Sequence, residues 1–155
     1  MKPRVSNLLL LGLTLMSVLM TAVIVKAKPL YGDMELFKPP SGPSHPEWGP
    51  LSWSGTISGD IDGNMYFYKT GSKVVGQAKH FWEVWLITND QGNLLLMGTD
   101  EGVVSVANLE FRMNGVVTGA APEYEHLLGR NVHMSGIIIS ISSTEKQALG
   151  VFQVN

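Results

Sequence analysis

From Leu51 onward the sequence is a series of short segments in which apolar and polar residues alternate, separated by turn signals every 8–15 residues. Alternation with a period of two is typical of a half-buried β-strand, because successive side chains of a strand point to opposite faces. No stretch beyond Pro50 keeps a helical period of apolar residues for three turns. This cadence predicts an all-β domain built as a sandwich or a closed barrel.

The turn signals set the number of strands. Asp62 and Gly63 form a hairpin signal, because both residues tolerate the positive φ of a type I′ turn. Residues 89–93 are predicted to be a hairpin loop, and residues 70–72 and 99–102 are predicted turns. The resulting seven or eight strands are enough for a closed antiparallel barrel of about eight strands, with a packed core or a small cavity. The predicted strands are 51–59, 64–69, 74–88, 94–97, 103–106, 109–117, 131–142 and 149–154.

The first 27 residues carry the ordered parts of an export signal. Lys2 and Arg4 precede an uncharged run over residues 8–25, and Val25 and Ala27 suit the −3 and −1 positions of a cleavage site after Ala27. The run is also within the ~17–25 residues that span a membrane, so an uncleaved N-terminal anchor is the alternative. Both interpretations predict that the rest of the chain is extracytoplasmic, either secreted or membrane-anchored.

Residues 28–50 hold six of the eight prolines. Proline fixes φ and lacks the donor that a β-ladder needs, so this segment is predicted to be an extended arm. Residues 34–37 are a candidate short strand within it. The predicted organisation is therefore a signal peptide or anchor over 1–27, a proline-rich arm over 28–50 and a β-barrel domain over 51–155.

Charge and composition exclude several functions. Residues 28–155 contain eight basic and thirteen acidic side chains, a net charge of −5, with no basic cluster along the sequence. This argues against nucleic acid as a partner and against a membrane surface, except through an uncleaved N-terminal segment. The absence of cysteine excludes thiol chemistry. The four histidines lack metal-ligand spacing and no cofactor motif is present, so we expect no metal and no cofactor.

Residues 115–136, GVVTGAAPEYEHLLGRNVHMSG, have a recognisable pattern. The segment resembles the G-x-V-T-x-A-x-x-x-[FY]-x-x-L-x-G turn of the allene oxide cyclase and dirigent-like barrels. The resemblance implies an eight-stranded antiparallel barrel with an apolar lumen. It carries no catalytic site across, because none of the family's active residues falls on a matching motif, and lipocalin-like barrels also fit. Tyr124, Leu127 and Leu128 are predicted to form a helical turn that plugs one barrel end and is stopped by Gly129.

Glu83 is the first candidate for chemistry. Alternation places it on one strand face with Phe81 and Trp85, and a carboxyl group beside large apolar groups has a raised pKa that suits general acid or base work. His133 is predicted to be its partner across the lumen. The alternatives are a Glu83 at the rim or outer face, paired with a cation such as Arg112, and a histidine that makes a structural hydrogen bond.

The aromatic residues are concentrated in the first half of the predicted barrel, where they serve either as core or as a stacking surface for a ligand. The candidate ligand-binding residues are Trp53, Tyr66, Tyr68, Phe81 and Trp85.

Three functions follow from these observations. The first is non-catalytic binding of a small apolar ligand in the lumen, or a scaffold role. The second is an enzyme of the cyclase or isomerase type that uses Glu83 and His133 as acid and base. The third is a surface interaction module that can also form homo-oligomers. A lumen of ~300 Å³ or more favours ligand binding, and a packed lumen favours the module.

Overall fold

The structure is a computed structural model that describes residues 28–40 and 42–155. The predicted signal peptide or anchor over residues 1–27 lies outside the described residues. Along the described chain the elements are β1 Leu30–Phe37, β2 Ser44–His45, β3 Gly49–Gly59, β4 Gly63–Val75, β5 Ala78–Thr88, β6 Leu94–Ser105, β7 Glu110–Ala120, a 3₁₀ helix Pro122–Leu127, β8 Asn131–Ser140 and β9 Lys146–Val154.

Eight of these strands form a closed antiparallel barrel, so the predicted fold class is confirmed. The sheet runs β1-β9-β8-β7-β6-β5-β4-β3, and β1 also pairs with β3. In that closing pair, Gly32 lies opposite Gly59 and Phe37 lies opposite Ser54. Closure removes the free edges that an open sheet would expose. The two-residue β2 pairs with the start of β3.

Strand β1 lies inside the segment that the sequence predicts to be an arm. Leu30, Met34 and Leu36 are buried, and the residues that alternate with them are exposed. The strand pairs with β9 over its whole length. Pro29 and Pro39 flank the strand rather than interrupt it. Their lack of a backbone N–H therefore removes no hydrogen bond from the ladder. The barrel therefore begins at Leu30, not at Leu51, and the proline-rich residues that follow cross one end of it.

Two predicted turns lie within strands, and those predictions are wrong. Residues 70–72 belong to β4, where the register shifts between Lys69 and Gly71. Residues 99–102 belong to β6, which is paired on both sides by β5 and β7. Tertiary pairing overrides the local turn preference in both places. The chain reverses instead at Gly76, which has a φ of 58° and lies inside the predicted strand 74–88.

The 3₁₀ helix closes one end of the barrel, as the sequence predicts, but one side chain makes most of the closure. Leu127 is 2 % exposed and joins the core, whereas Leu128 is 45 % exposed. Tyr124 is partly buried and packs against the core. Gly129 has a φ of 74°, and its N–H donates to the carbonyl of Val117 at 2.9 Å. The left-handed glycine after the helix is thus confirmed.

The inward side chains fill the middle of the barrel. Trp85 is fully buried and packs edge to face against Phe152, with ring centroids 5.2 Å apart. Phe67, Met65 and Met134 are also fully buried around this pair.

None of the helices in the described residues is long and apolar enough to cross a membrane.

Candidate functional site

The barrel end opposite the 3₁₀ helix holds a cavity of about 550 Å³. The helix connects the end of β7 to the start of β8, whereas the cavity is lined by Phe111 at the start of β7 and Ile138 at the end of β8. Leu36 and Phe81 add further apolar wall. Both the volume and the apolar lining are typical of small-molecule sites, which measure ~300–1,000 Å³.

Inward-facing glycines make room for the aromatic walls of this cavity. Gly136 and Gly150 are paired across β8 and β9. A Cβ atom on either would meet the Phe111 ring, at 2.8 Å and 2.9 Å respectively. A Cβ atom on Gly102 would overlap the Phe81 ring. These positions therefore let the two rings lie against the wall instead of filling the lumen.

The mouth of the cavity is built from loops. Pro39, Pro40 and Pro50 line it on one side and Leu109 on another. Leu109 is the only non-glycine residue of the described chain with a positive φ, at 58°. Its carbonyl accepts a hydrogen bond of 2.9 Å from the Ile138 N–H, which helps to hold this conformation. A leucine in the left-handed region costs ~1–2 kcal/mol, so the surrounding contacts fix the backbone at this mouth.

Four lysines line the same cavity, namely Lys38, Lys69, Lys79 and Lys146. They come from different strands or strand ends, and barrel closure brings them together. Partial burial lowers the pKa of Lys79, and the charges of Lys69, Lys38 and Lys146 lower it further. The charges of the other three lysines therefore reach Lys79, and the four lysines form one positive cluster at the cavity that the sequence does not reveal.

Glu83 lies in the cavity wall and is 5 % exposed. Burial raises its pKa to about 7, against the opposing effects of the Ser52 hydrogen bond and of Lys69 and Lys79. The Ser52 hydroxyl lies 2.5 Å from Glu83 Oε1 and 3.1 Å from the Phe67 carbonyl oxygen. A hydroxyl has a single proton to donate. The Ser52 hydroxyl therefore donates either to Glu83 or to the Phe67 carbonyl oxygen, and its bond to Glu83 favours the ionised carboxylate.

Asp100 is a second buried acidic residue, and it is not among the residues predicted from the sequence. It lies directly opposite Glu83 across the β5–β6 pair and is 6 % exposed. Neither of its carboxyl oxygens has a hydrogen-bond partner among the described residues. Burial, followed by the charge of Glu83, raises the pKa of Asp100 to about 8. Continued alternation from Leu96 through Gly98 to Asp100 is the signal that could have placed this carboxyl group on the inward face.

The predicted ligand-binding aromatics divide into three groups. Trp53 and Phe81 line the cavity. Trp85 is fully buried in the core and contributes packing. Tyr66 and Tyr68 point outward, because Met65 and Phe67 on the same strand point inward.

On the outside, Tyr68 packs against Trp48, with ring centroids 5.7 Å apart, and against His45. These rings form a small outer cluster that includes the stacked pair of His45 and Trp48, whose centroids are 3.9 Å apart. The structure thus places Tyr66 and Tyr68 on the wrong face to contact a ligand in the lumen.

His133 also lies on the outer face and does not pair with Glu83. Its neighbours Val132 and Met134 are buried, and its Nδ1 lies 2.9 Å from Asn114 Oδ1. Successive side chains of a strand point to opposite faces, so the odd-numbered residues of β8 point outward because the even-numbered Val132 and Met134 are buried. His133 therefore makes the structural hydrogen bond that was the alternative, and the predicted acid–base pair across the lumen is not formed.

Within residues 28–40 and 42–155, no group of three or more His, Asp or Glu side chains is placed to hold a metal ion. Comparison of the chain with protein-family models, curated proteins and solved structures finds no match. The fold and the site together define a closed eight-stranded barrel with one lysine-rimmed apolar cavity and a buried carboxyl group in its wall.

Proposed function

We propose that this protein is an extracytoplasmic binding protein that holds a small, largely apolar ligand in the open end of its barrel. The cavity of about 550 Å³ carries this proposal. Its volume is well above the ~300 Å³ that distinguishes a ligand site from a packed lumen. Each Å² of apolar ligand surface that leaves water there contributes about 25 cal/mol.

The construction of the cavity supports binding over a scaffold role. The other barrel end is filled by side chains and closed by Leu127, whereas at this end glycines leave room for the rings of Phe81 and Phe111 at the wall. Trp53 and Phe81 offer ring faces to a ligand. A module that acted only through its surface would gain nothing from an unfilled lumen, since voids destabilise a core.

The extracytoplasmic location is part of the proposal and rests on residues 1–27. The basic start, the apolar run and the exit at Ala27 support export. Intact-mass analysis of the protein isolated from its producing cell is expected to give a chain that starts at Lys28. A chain that retains residues 1–27 but is recovered with membranes identifies the anchor, and recovery from the cytoplasm contradicts export.

Kinship with the allene oxide cyclase and dirigent-like barrels is also part of the proposal. It is supported by the pattern of residues 115–136 and by the strand, helical turn and strand that this segment forms. It adds no site residue to this chain.

The test of binding uses Nile red, a neutral apolar dye whose fluorescence rises when it leaves water. We expect one saturable site per barrel. Val104 lines the cavity, so Val104→Trp should fill part of it and weaken dye binding at least about tenfold. Val103→Trp is the matched control, because alternation places Val103 on the outer face. Absence of a saturable site, or equal loss in both variants, would reject binding in the lumen.

A second candidate function, acid–base catalysis of the cyclase or isomerase type, is favoured by one specific observation. Glu83 lies in the cavity wall with a pKa of about 7, and Ser52 fixes its orientation. A general acid or base works best with a pKa near the operating pH. Asp100 is the cross-strand partner of Glu83 and does not line the cavity, so it acts on the ligand only through Glu83.

This candidate is tested with whatever ligand native mass spectrometry recovers from the purified protein. Fresh ligand incubated with the wild type is expected to be converted, and Glu83→Gln should bind it but convert it about 10²–10⁴ times more slowly. Recovery of unchanged ligand from the wild type rejects the enzyme and leaves the binding protein.

A further inference from the structure

Half of the eight basic side chains in residues 28–155 surround one opening. The same residues contain thirteen acidic side chains, so the concentration of lysine at the cavity does not reflect a generally basic surface. Alternation explains two of the four positions: Lys69 ends the inward row of Met65 and Phe67, and Lys79 precedes Phe81 in the inward row of β5.

The lysines at the mouth are not neutralised by the protein. Among the described residues that line the cavity, Glu83 is the one acidic side chain, so four ammonium groups face a single carboxyl group there. Within the described chain, none of the four forms an ion pair with an acidic side chain; the ion pair that is present joins Lys28 and Asp60. Like charges held beside a low-dielectric wall repel one another and strengthen the field in the opening. An anion placed between them would relieve that repulsion.

We propose that the ligand is an amphipathic anion, whose apolar body fills the lumen and whose acidic head group is held at the mouth by Lys38, Lys69, Lys79 and Lys146. This inference rests on the proposed binding function and names its ligand class. The head group is a carboxylate, sulfate or phosphate, since each accepts several hydrogen bonds from ammonium donors. A neutral ligand would make no charge interaction with the lysines, and a cationic ligand would be repelled by them.

The competing role of the lysines is to keep the apolar mouth soluble. A lysine can lay its methylene stem on apolar surface while its ammonium group stays in water. In that case the affinity of a ligand would not depend on the charge of its head group. The two roles therefore differ in one measurable quantity, the affinity of an anion relative to a neutral molecule with the same tail.

The experiment compares dodecanoate, dodecyl sulfate, dodecanol and dodecyltrimethylammonium as competitors of Nile red, all below their micelle concentrations. Both anions are expected to bind at least about tenfold more tightly than dodecanol, and the cation more weakly than dodecanol. The advantage of the anions should shrink between about 0.02 M and about 0.5 M salt, because salt screens exposed charges. Lengthening the carboxylate tail should strengthen binding about fourfold per methylene until the lumen is full.

Lys69→Gln combined with Lys146→Gln should weaken dodecanoate about tenfold and leave dodecanol within about twofold. Lys28→Gln combined with Lys73→Gln is the control, because both lysines are exposed and do not line the cavity, and their substitution also removes two positive charges. Equal affinity of dodecanoate and dodecanol, or an anion advantage that survives the double substitution, overturns the head-group proposal and leaves the cavity function standing. If Nile red and dodecanol both fail to bind, the cavity function itself is rejected, and the head-group proposal with it.

Discussion

Glu83 on β5 and Asp100 on β6 are direct cross-strand partners, and both side chains are almost fully buried. Two neighbouring carboxyl groups in an apolar wall cannot both ionise without a large loss of stability, because burial and mutual repulsion each disfavour the charged forms. The barrel therefore holds at least one proton on this pair over most of the neutral range. The same-face neighbours on β6, Gly98 and Gly102, are uncharged and the strand contains no lysine or arginine, so no cation of β6 offsets Asp100.

The stability of the barrel is expected to fall as the pH rises through neutrality. The pKa of Glu83 is raised from 4.5 to about 7, and that of Asp100 from 3.8 to about 8, both chiefly by burial. Between the unfolded and folded values the folded state binds more protons than the unfolded state, so the free energy of unfolding decreases with pH. The contribution of these groups is complete below about pH 4 and is lost by about pH 8.

Asp100→Asn should remove most of the decrease in the free energy of unfolding that occurs as the pH rises. We expect the variant to exceed the wild type in free energy of unfolding by about 2 kcal/mol or more at pH 8, and to differ little near pH 4. Urea melts at several pH values measure this, and Asp90→Asn in the exposed loop 89–93 is the control. A wild type that becomes more stable between about pH 5 and about pH 8, with no change in that slope on Asp100→Asn, would contradict the burial of an acidic pair.

The fold could be predicted from the sequence because the period of two and most turn signals agree with the barrel. The error at β6 has a definite cause. Thr99, Asp100, Glu101 and Gly102 have the composition of a turn, yet β5 and β7 pair with them on both sides. The strands that pair with these residues are distant in the sequence, so the local pattern does not reveal the pairing. Burial of Asp100 without a hydrogen bond is also unexpected, because a carboxyl group ordinarily prefers water.

Only part of the site could be predicted. The alternation in a sequence does not say which face of a strand points into the barrel, and it does not say which distant strands the closed barrel brings together. Alternation groups His133 correctly with Asn131 and Ser135, but the burial of Val132 and Met134 decides which group faces inward. The lysine cluster is invisible in the sequence, because its members lie on or beside four different strands, far apart along the chain. Glu83 was identifiable because apolar residues flank it on both faces.

A chain that begins at Leu51 is expected not to form the closed barrel. Strand β1 fills the gap between β3 and β9 and contributes Leu30, Met34 and Leu36 to the core. Without it, two long strand edges and apolar side chains are exposed, which favours aggregation. Size-exclusion chromatography and urea melts of fragments 51–155 and 28–155 measure the difference. A monomeric fragment 51–155 that melts cooperatively would show that closure by β1 is dispensable.

Gly98→Ala is expected to destabilise the barrel by about 3 kcal/mol, because the position has no room for a Cβ atom. That atom would overlap both the Trp85 indole and the carbonyl oxygen of Val116. The adjacent outward residue gives the control, since Thr99→Ala on the exposed face should stay within about 0.5 kcal/mol. Near-ultraviolet circular dichroism should report the displaced indole. Equal stability of the two variants would mean that Trp85 does not lie against β6.

Leu127 and Leu128 provide a matched pair for the closed end of the barrel. Leu127→Ala should lower the free energy of unfolding by about 3 kcal/mol, because it removes a buried side chain and leaves a cavity. Leu128→Ala should change it by no more than about 0.5 kcal/mol, since that side chain is largely exposed. Gly129→Val should also destabilise, because a β-branched residue resists the φ of 74° at this position.

The same variants separate the two ends of the barrel. The 3₁₀ helix lies at the end away from the cavity, so Leu127→Ala should leave the Nile red affinity within about twofold as long as the protein is folded. Urea melts and dye titrations on the same samples make the comparison direct. If Leu128→Ala is the more damaging substitution, the helix is turned the other way. If Leu127→Ala abolishes dye binding in folded protein, the dye occupies the closed end, and the lysine-rimmed cavity is not its site.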